Sequence, residues 1–171
     1  MTIEPSRRKS RFVAGAALVS LLAVFSTRPA AAQAGNTGFD FKVDHVGISV
    51  ANLRESVEWY VDKLGFELVR PLNLGSESTM TIAQLRRGDF NIELFQIEGA
   101  EPLPEHRRDP SADLRVQGLA HFAFQVDDVA AVQAELEAKG VNIVMPLTEN
   151  RTNFFFVNDN SGNSFEFIQR R

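Results

Sequence analysis

The chain has 171 residues, with 18 lysines and arginines against 22 aspartates and glutamates, a net charge of −4, and no cysteine. Its length suits one domain or two small modules that share a core. The lack of cysteine excludes disulfides, a thiol nucleophile and a cysteine-type zinc site, and the acidic balance argues against nucleic acid or an anionic membrane as a partner.

The first 34 residues have the pattern of a secretory signal peptide. An apolar run over 12–25 precedes an Ala-x-Ala cleavage pattern ending at Ala34, and it follows a basic cluster of Arg7, Arg8, Lys9 and Arg11. The run is too short to span a bilayer comfortably, so we expect cleavage near Ala34, no stable membrane anchor afterwards, and a periplasmic or secreted bacterial protein. An uncleaved anchor is the alternative, and the adjacent pair Arg7-Arg8 leaves both the Sec and the twin-arginine route open.

Cleavage at this point makes the protein more acidic. Removing 34 of the 171 residues leaves 137, and it takes away five of the 18 basic and one of the 22 acidic residues, so the net charge becomes −8. Nucleic acid is therefore an even poorer partner for the mature chain. Residues 35–40 then form a short flexible lead before a domain over 41–169.

The domain begins with a first module over 41–98 whose pattern predicts the order β-α-β-β-β. Phe41 to Val50 largely alternates apolar and polar residues, which is typical of a half-buried strand. Asn52 can cap a helix that Gly65 would end, and the apolar residues between them keep helical spacing. Three further strands are predicted over 66–69, 80–85 and 90–95.

A second module over 117–169 repeats this order after a polar, proline-rich linker over 97–118. His121 is predicted to lie in its first strand, Asp127 or Asp128 to cap its helix, and Gly140 to end that helix. The remaining strands are predicted over 141–144, 153–157 and 165–168. His106, in the linker, has no apolar neighbours and no counterpart in the other module, so we interpret it as solvated.

The repeat pairs one histidine with one glutamate in each module. His45 and His121 stand at matching places near the two starts, and Glu93 and Glu166 lie in the last strands between apolar neighbours. A carboxylate that shares a face with apolar residues is costly to bury unless it is paired or bound to a metal. Two imidazoles and two carboxylates would suit one divalent metal. The alternative is that both carboxylates point outward to solvent.

Four segments carry a resemblance to a known family: Asp44-His45-Val46-Gly47-Ile48-Ser49-Val50, Trp59-Tyr60, Leu64-Gly65-Phe66 and Asp159-Asn160-Ser161-Gly162-Asn163-Ser164-Phe165-Glu166-Phe167. Through them the chain resembles the vicinal oxygen chelate superfamily, which includes glyoxalase I, methylmalonyl-CoA epimerase, extradiol dioxygenases and the bleomycin and fosfomycin resistance proteins. The resemblance implies an α+β fold of two tandem βαβββ modules that form a half-open mixed barrel. One departure is Asn160, which stands where the family turn usually has proline.

The resemblance also implies a ligand set, because family members take their metal ligands from the first and last strands of each module. The corresponding residues are His45, Glu93, His121 and Glu166, a set most similar to that of glyoxalase I. Zinc and nickel are the metals we expect most, and cobalt, manganese and Fe(II) also suit these donors. By resemblance the metal would hold two vicinal oxygens and stabilise an enediolate, while Glu166, with Glu93 as its counterpart, moves the proton. A homodimer is implied by analogy.

We therefore predict an exported, metal-dependent, glyoxalase-like lyase or isomerase for a small oxygenated substrate. Glutathione-using members carry arginine and asparagine where this chain has Ser49 and Ile97, which argues against lactoylglutathione as the substrate. An anion could instead bind other basic residues, although the pattern favours solvated surface for each of them: Arg70, Arg86, Arg87 and Arg151. Two alternatives stay open, a small-molecule-binding resistance or sequestration protein and an Fe(II) extradiol-type dioxygenase that uses part of the ligand set.

Overall fold

The computed structural model describes residues 41–70 and 79–170. The signal peptide predicted over 1–34 and the lead predicted over 35–40 lie outside the described residues. Across the two described ranges, no helix has the length and apolar character needed to cross a membrane.

The first module has the predicted order of elements. They are β1 (His45–Ser49), α1 (Leu53–Leu64), β2 (Glu67–Leu68), β3 (Met80–Arg87) and β4 (Phe90–Ile97). The sheet order is β1-β4-β3-β2, with β1 parallel to β4 and the other pairs antiparallel. β1 is shorter than predicted because residues 41–44 form no strand, whereas β3 and β4 pair along their whole length and each run two residues further than predicted.

Both predicted boundaries of α1 are confirmed. Asn52 accepts a hydrogen bond from the backbone nitrogen of Glu55 at 3.2 Å, and its own side-chain nitrogen donates to the Glu55 carboxylate at 2.9 Å. Gly65 ends the helix with a φ of 66°, a left-handed conformation that glycine adopts without the steric cost of a Cβ. Leu53 and Tyr60 are fully buried, so this side of α1 packs against the sheet.

The second module repeats the arrangement. It contains β5 (Phe122–Gln125), α3 (Val129–Ala138), β6 (Asn142–Met145), β7 (Phe154–Asn158) and β8 (Ser164–Ile168), in the sheet order β5-β8-β7-β6. The predicted α+β class with two βαβββ modules is confirmed. Asp128 caps α3 by accepting from the backbone nitrogen of Ala131 at 2.9 Å, and Gly140 follows the helix with a φ of 74°. The prediction for His121 was one residue out, since it lies just before β5.

The linker contains two short helices that the sequence analysis did not predict. They are a 3-10 helix over Glu105–Arg108 and α2 over Pro110–Asp113. Asp109 caps α2 by accepting from the backbone nitrogens of Ser111 and Ala112. Arg107 holds the segment in place, with Nε 3.1 Å from the Asp113 carboxylate and Nη2 2.6 Å from the carbonyl oxygen of Leu119. His106 is exposed, as predicted.

One apolar core joins the two modules. Rings from the first module contact rings from the second: Tyr60 stacks on Phe165 at 6.3 Å, and Phe66 and Phe90 both meet Phe124 edge-to-face. Trp59 and several phenylalanines belong to this core or pack against it. We call the face of each sheet that points away from this core its front face. Because strand residues alternate, the side chains next to buried Phe165 lie on that front face.

Polar contacts fasten the modules together beside this core. The Tyr60 hydroxyl donates to the Asp159 carboxylate at 3.0 Å, and the Ser56 hydroxyl donates to the side-chain oxygen of Asn160 at 3.0 Å. Asp159 also accepts from the backbone nitrogens of Ser161 and Asn163, each at 2.8 Å. Helix α1 is therefore tied to the turn that leads into β8, the strand that carries Glu166.

Candidate metal centre

His45 and Glu93 meet on the front face of the first sheet. Nε2 of His45 lies 3.3 Å from Oε2 of Glu93, whose side chain is 19% exposed. The flanking residues Ile92 and Leu94 are fully buried on the opposite face, so strand alternation directs Glu93 to the front. The pattern of apolar neighbours that singled out Glu93 therefore places it on the face away from the core, beside its predicted histidine partner.

Two further side chains orient this pair. Nδ1 of His45 lies 2.7 Å from Oδ2 of Asp44, and Nε2 of Gln84 donates to Oε1 of Glu93 at 2.6 Å. The hydrogen bond with Asp44, assisted by the charge of Glu93, raises the pKa of His45 above its ordinary value. Metal-binding histidines commonly use their second ring nitrogen in this way, which fixes the tautomer. The sequence analysis assigned no role to Asp44 or Gln84, although Asp44 is the direct neighbour of His45.

His121 and Glu166 form the matching pair on the front face of the second sheet. Nε2 of His121 lies 3.6 Å from Oε2 of Glu166, whose side chain is 15% exposed. The ring of Phe156 contacts the His121 ring edge-to-face at 4.8 Å, and Phe156 is the β7 partner of Glu166. Among the described residues the carboxylate of Glu166 is paired only with His121, whereas that of Glu93 also accepts from Gln84.

The spacing within each pair fits a shared cation. Two donors that bind one zinc-type ion at about 2.1 Å lie roughly 3.0–3.5 Å apart at bond angles of about 90–110°. The separation of 3.3 Å in the first pair lies within this range, and that of 3.6 Å in the second pair lies slightly above it. Imidazole nitrogen and carboxylate oxygen are also suitable donors for such metals. Each pair can therefore supply two cis positions of a coordination sphere, and we call each one a half-site.

The two half-sites do not form one cluster within the described ranges 41–70 and 79–170. Among the residues that the structure describes, no group of three or more His, Cys, Asp or Glu side chains lies close enough to hold a metal ion. His45 is thus brought together with Glu93, and His121 with Glu166, but the four are not assembled at one point. Their assignment as ligands of one cation stays a prediction.

A cleft of about 700 Å³ lies between the edge of β1 and the start of the second module. Gly47, Ser49, Ile97 and His121 line it, together with part of the linker. Ser49 and Ile97 are the two positions at which the chain departs from glutathione-using relatives, and neither carries a charge. Arg107, a cation in the same cleft, is bound to Asp113.

Most of the arginines considered as anion ligands serve structural contacts. Arg86 pairs with Glu67 at 3.4 Å, and Arg87 donates to the carbonyl oxygen of Leu64. Arg151 donates to the carbonyl oxygen of Pro146 at 2.6 Å, and its guanidinium lies 5.7 Å from the ring centre of Phe154. Arg70 is exposed. These contacts favour the interpretation of Arg86 and Arg87 as surface residues.

Comparison with known proteins places this geometry among related folds. Residues 42–167 match the model of the Glyoxalase/Bleomycin resistance protein/Dioxygenase superfamily. The chain is 32% identical over 133 residues to the uncharacterized protein YaeR of Escherichia coli, covering 75% of this chain and 96% of YaeR. It is 28% identical over 130 residues to a lactoylglutathione lyase of Neisseria meningitidis, covering 74% of this chain and 89% of that enzyme.

The fold is also similar to solved structures. The crystal structure of a glyoxalase family protein from Enterococcus faecalis superposes with a TM-score of 0.60 at 26% sequence identity. The match covers 74% of this chain and 96% of that protein. The two chains therefore share the paired βαβββ modules, and the match spans almost the whole length of the Enterococcus faecalis protein.

Proposed function

Because the chain belongs to the Glyoxalase/Bleomycin resistance protein/Dioxygenase superfamily, we propose that it is an exported, metal-dependent lyase or isomerase of the glyoxalase type that acts on a small oxygenated substrate. The observation that carries the proposal is the presence of two imidazole–carboxylate half-sites at matching places in the two modules. The similarity to a lactoylglutathione lyase favours the same chemistry. Export is proposed from the signal-peptide pattern.

A homodimer completes the proposed site. The first-module half-site of one chain would combine with the second-module half-site of its partner, and two-fold symmetry would create the same site twice. The topology supports this arrangement, because β1 and β5 are both end strands of their sheets within the described residues. β1 begins at His45, and β5 begins directly after His121. If these edges face a partner chain, the histidines of the two half-sites lie close to that partner.

In this proposal a divalent metal, with zinc or nickel preferred, would be held by His45, Glu93, His121 and Glu166. When bound, the metal would supply Lewis acidity towards two vicinal oxygens of the substrate. Glu166 would take the proton from the hydroxyl-bearing carbon and return it to the adjacent carbonyl carbon, while the hydroxyl proton would pass through solvent to the former carbonyl oxygen. Among the described residues its carboxylate is paired with His121 alone. Glu93 stays oriented, since Gln84 and His45 contact both of its oxygens.

The exchange of substrate hydrogen for solvent deuterium tests this mechanism directly. Metal-loaded protein is incubated in D2O with α-hydroxy ketones and α-oxo aldehydes, with and without a thiol, and followed by NMR. We expect Glu166→Gln to abolish exchange while most of the metal stays bound, because glutamine keeps an oxygen donor but cannot accept the proton. Glu58→Gln, at an exposed position of α1, is the matched control and should exchange like the wild type. Unchanged exchange in Glu166→Gln would remove Glu166 from the mechanism.

Two other functions of the same fold predict different results. A binding or sequestration protein is favoured by the absence of a three-ligand group within the described chain and by the 700 Å³ cleft. Protein purified from its own host would then contain no metal and catalyse no exchange. An Fe(II) dioxygenase would contain iron and consume oxygen. Metal analysis of the native protein, combined with an oxygen electrode, separates these outcomes from zinc or nickel with exchange.

A further inference from the structure

We propose that the substrate carries its vicinal oxygens on an aromatic or branched aliphatic group and is used without a thiol conjugate. This inference rests on the proposed function and specifies what the two half-sites recognise. It is drawn from the side chains that share the front faces with the ligands, and from the charges that those faces lack.

The first front face is apolar beside its half-site. Alternation along β4 places Phe95 and Ile97 on the same face as Glu93, and the β3–β4 register sets Ile82 opposite Phe95. Ile82 and Ile97 are 40% and 43% exposed, although isoleucine is usually among the most buried residues. Exposed apolar side chains beside a candidate metal centre form a surface that an apolar ligand can cover.

Gly47 makes room for this surface next to His45. It lies two residues after His45, on the same face of β1, and a Cβ at this position would come within 3.0 Å of the Phe95 ring. The absence of a side chain at Gly47 therefore lets the ring lie in this position without shifting. The result is an aromatic side chain placed next to the ligand pair.

The second front face repeats this character. Phe154 and Phe156 alternate along β7 with their ring centres 6.0 Å apart, and Phe156 contacts the His121 ring. Ile168 lies opposite Phe154 and on the same face as Glu166. Both half-sites are thus flanked by apolar and aromatic side chains, so a substrate held between them meets apolar surface on either side.

Several charges near these faces are already engaged, although the exposed Arg108 also lines the cleft, with its guanidinium beside Gly162. On the first face Arg86 is paired with Glu67, and in the cleft Arg107 is paired with Asp113. On the second, Arg151 packs on Phe154 and could meet a single carboxylate. The several charged ends of a glutathione conjugate would lose water without gaining enough partners, which is costly. An uncharged or singly anionic apolar molecule avoids this cost.

Hydroxamates test the inference without turnover, because they bind metals through two adjacent oxygens and do not react. We would measure the binding of benzohydroxamate, acetohydroxamate and a glutathione-bearing hydroxamate to the full chain by calorimetry, with and without zinc. We expect benzohydroxamate to bind about tenfold more tightly than acetohydroxamate, a difference of about 1.4 kcal/mol. Glutathione should add no further affinity.

Two matched variants connect this preference to the front face. Ile82→Thr should reduce the preference for the phenyl group, because it replaces the ethyl branch of the side chain with a hydroxyl on the proposed binding surface. Val116→Thr makes a similar change at another exposed apolar position, in the linker, and should leave the preference unchanged. If Ile82→Thr instead alters only the association state, Ile82 belongs to a contact between chains, and the inference is overturned.

The remaining outcomes separate the inference from the function on which it rests. Equal affinity for benzohydroxamate and acetohydroxamate, or tighter binding of the glutathione-bearing compound, would overturn the inference and leave the metal-dependent function in place. If no hydroxamate binds more tightly when zinc is present, the proposed metal centre itself fails, and the inference fails with it.

Discussion

Mixing two inactive variants would reveal whether the half-sites are shared between chains. One variant carries His45→Ala and Glu93→Ala, so only its second-module half-site is intact. The other carries His121→Ala and Glu166→Ala, so only its first-module half-site is intact. All four side chains lie on the front faces, away from the shared core, so we expect both variants to fold.

The expected recovery of metal follows from counting sites. Neither variant alone can form a complete site in a symmetric dimer. After free exchange of subunits about half of the dimers are mixed, and each mixed dimer has one intact site out of two. The mixture should therefore bind about a quarter of the metal that the wild type binds, against almost none for either variant alone.

Metal content after removal of weakly bound ions is the measurement, with differently tagged chains to show that mixed dimers have formed. Trp59, the single tryptophan of the chain, reports folding of each variant by its fluorescence. Recovery of no metal by confirmed mixed dimers would refute the sharing of half-sites. Full metal content in either variant alone would show that one imidazole–carboxylate pair is sufficient, and would also refute the reasoning.

Three further predictions concern separate features of the chain. Burial, with the nearby charge of Asp159, raises the pKa of Tyr60 well above 10, so the folded protein keeps a proton that the unfolded chain loses. The contribution of Tyr60 to stability should therefore be constant below about pH 10 and fall above it, as followed by denaturant unfolding, and Tyr60→Phe should remove this fall. Because Tyr60 is the only tyrosine, its absorbance titration should report the raised pKa directly. Asp44→Asn should weaken zinc binding by about tenfold in calorimetric titrations, whereas Asp62→Asn, on α1, should not; equal effects would deny Asp44 an orienting role. N-terminal sequencing of the exported protein should begin near Gly35, and an intact N-terminus would contradict the predicted cleavage.

The order of elements could be predicted from the sequence because its signals are local. The Asn52 cap and the Gly65 stop depend on a few neighbouring residues, and both are confirmed. Strand ends depend on partners instead: residues 41–44 alternate like a strand but form none, whereas β3 gains residues because β4 lies opposite. Asp109 followed by Pro110 is a typical helix start, which could have predicted α2. It was not used because the polar composition of the linker favoured a loop.

In the candidate site, too, local features could be predicted from the sequence and long-range ones could not. Each histidine could be paired with its glutamate because the register of parallel strands within a module brings them together. Whether the two pairs meet depends on how the modules pack, which is decided by long-range contacts such as Tyr60–Phe165 and Ser56–Asn160. No local pattern specifies those contacts, so a single four-ligand cluster could not be distinguished from two half-sites.

The hydrogen bond between Ser56 and Asn160 explains the one departure from the family turn. A proline at position 160 has no side-chain oxygen and could not accept the Ser56 hydroxyl. The two modules thus depend on each other. A second module separated from the first would expose Phe165, which is fully buried here, because Trp59 and Tyr60 would no longer cover it. Asp159 would also lose the hydroxyl of Tyr60 as a hydrogen-bond donor. An ancestor with a single free-standing module would have needed another surface to cover the Phe165 ring.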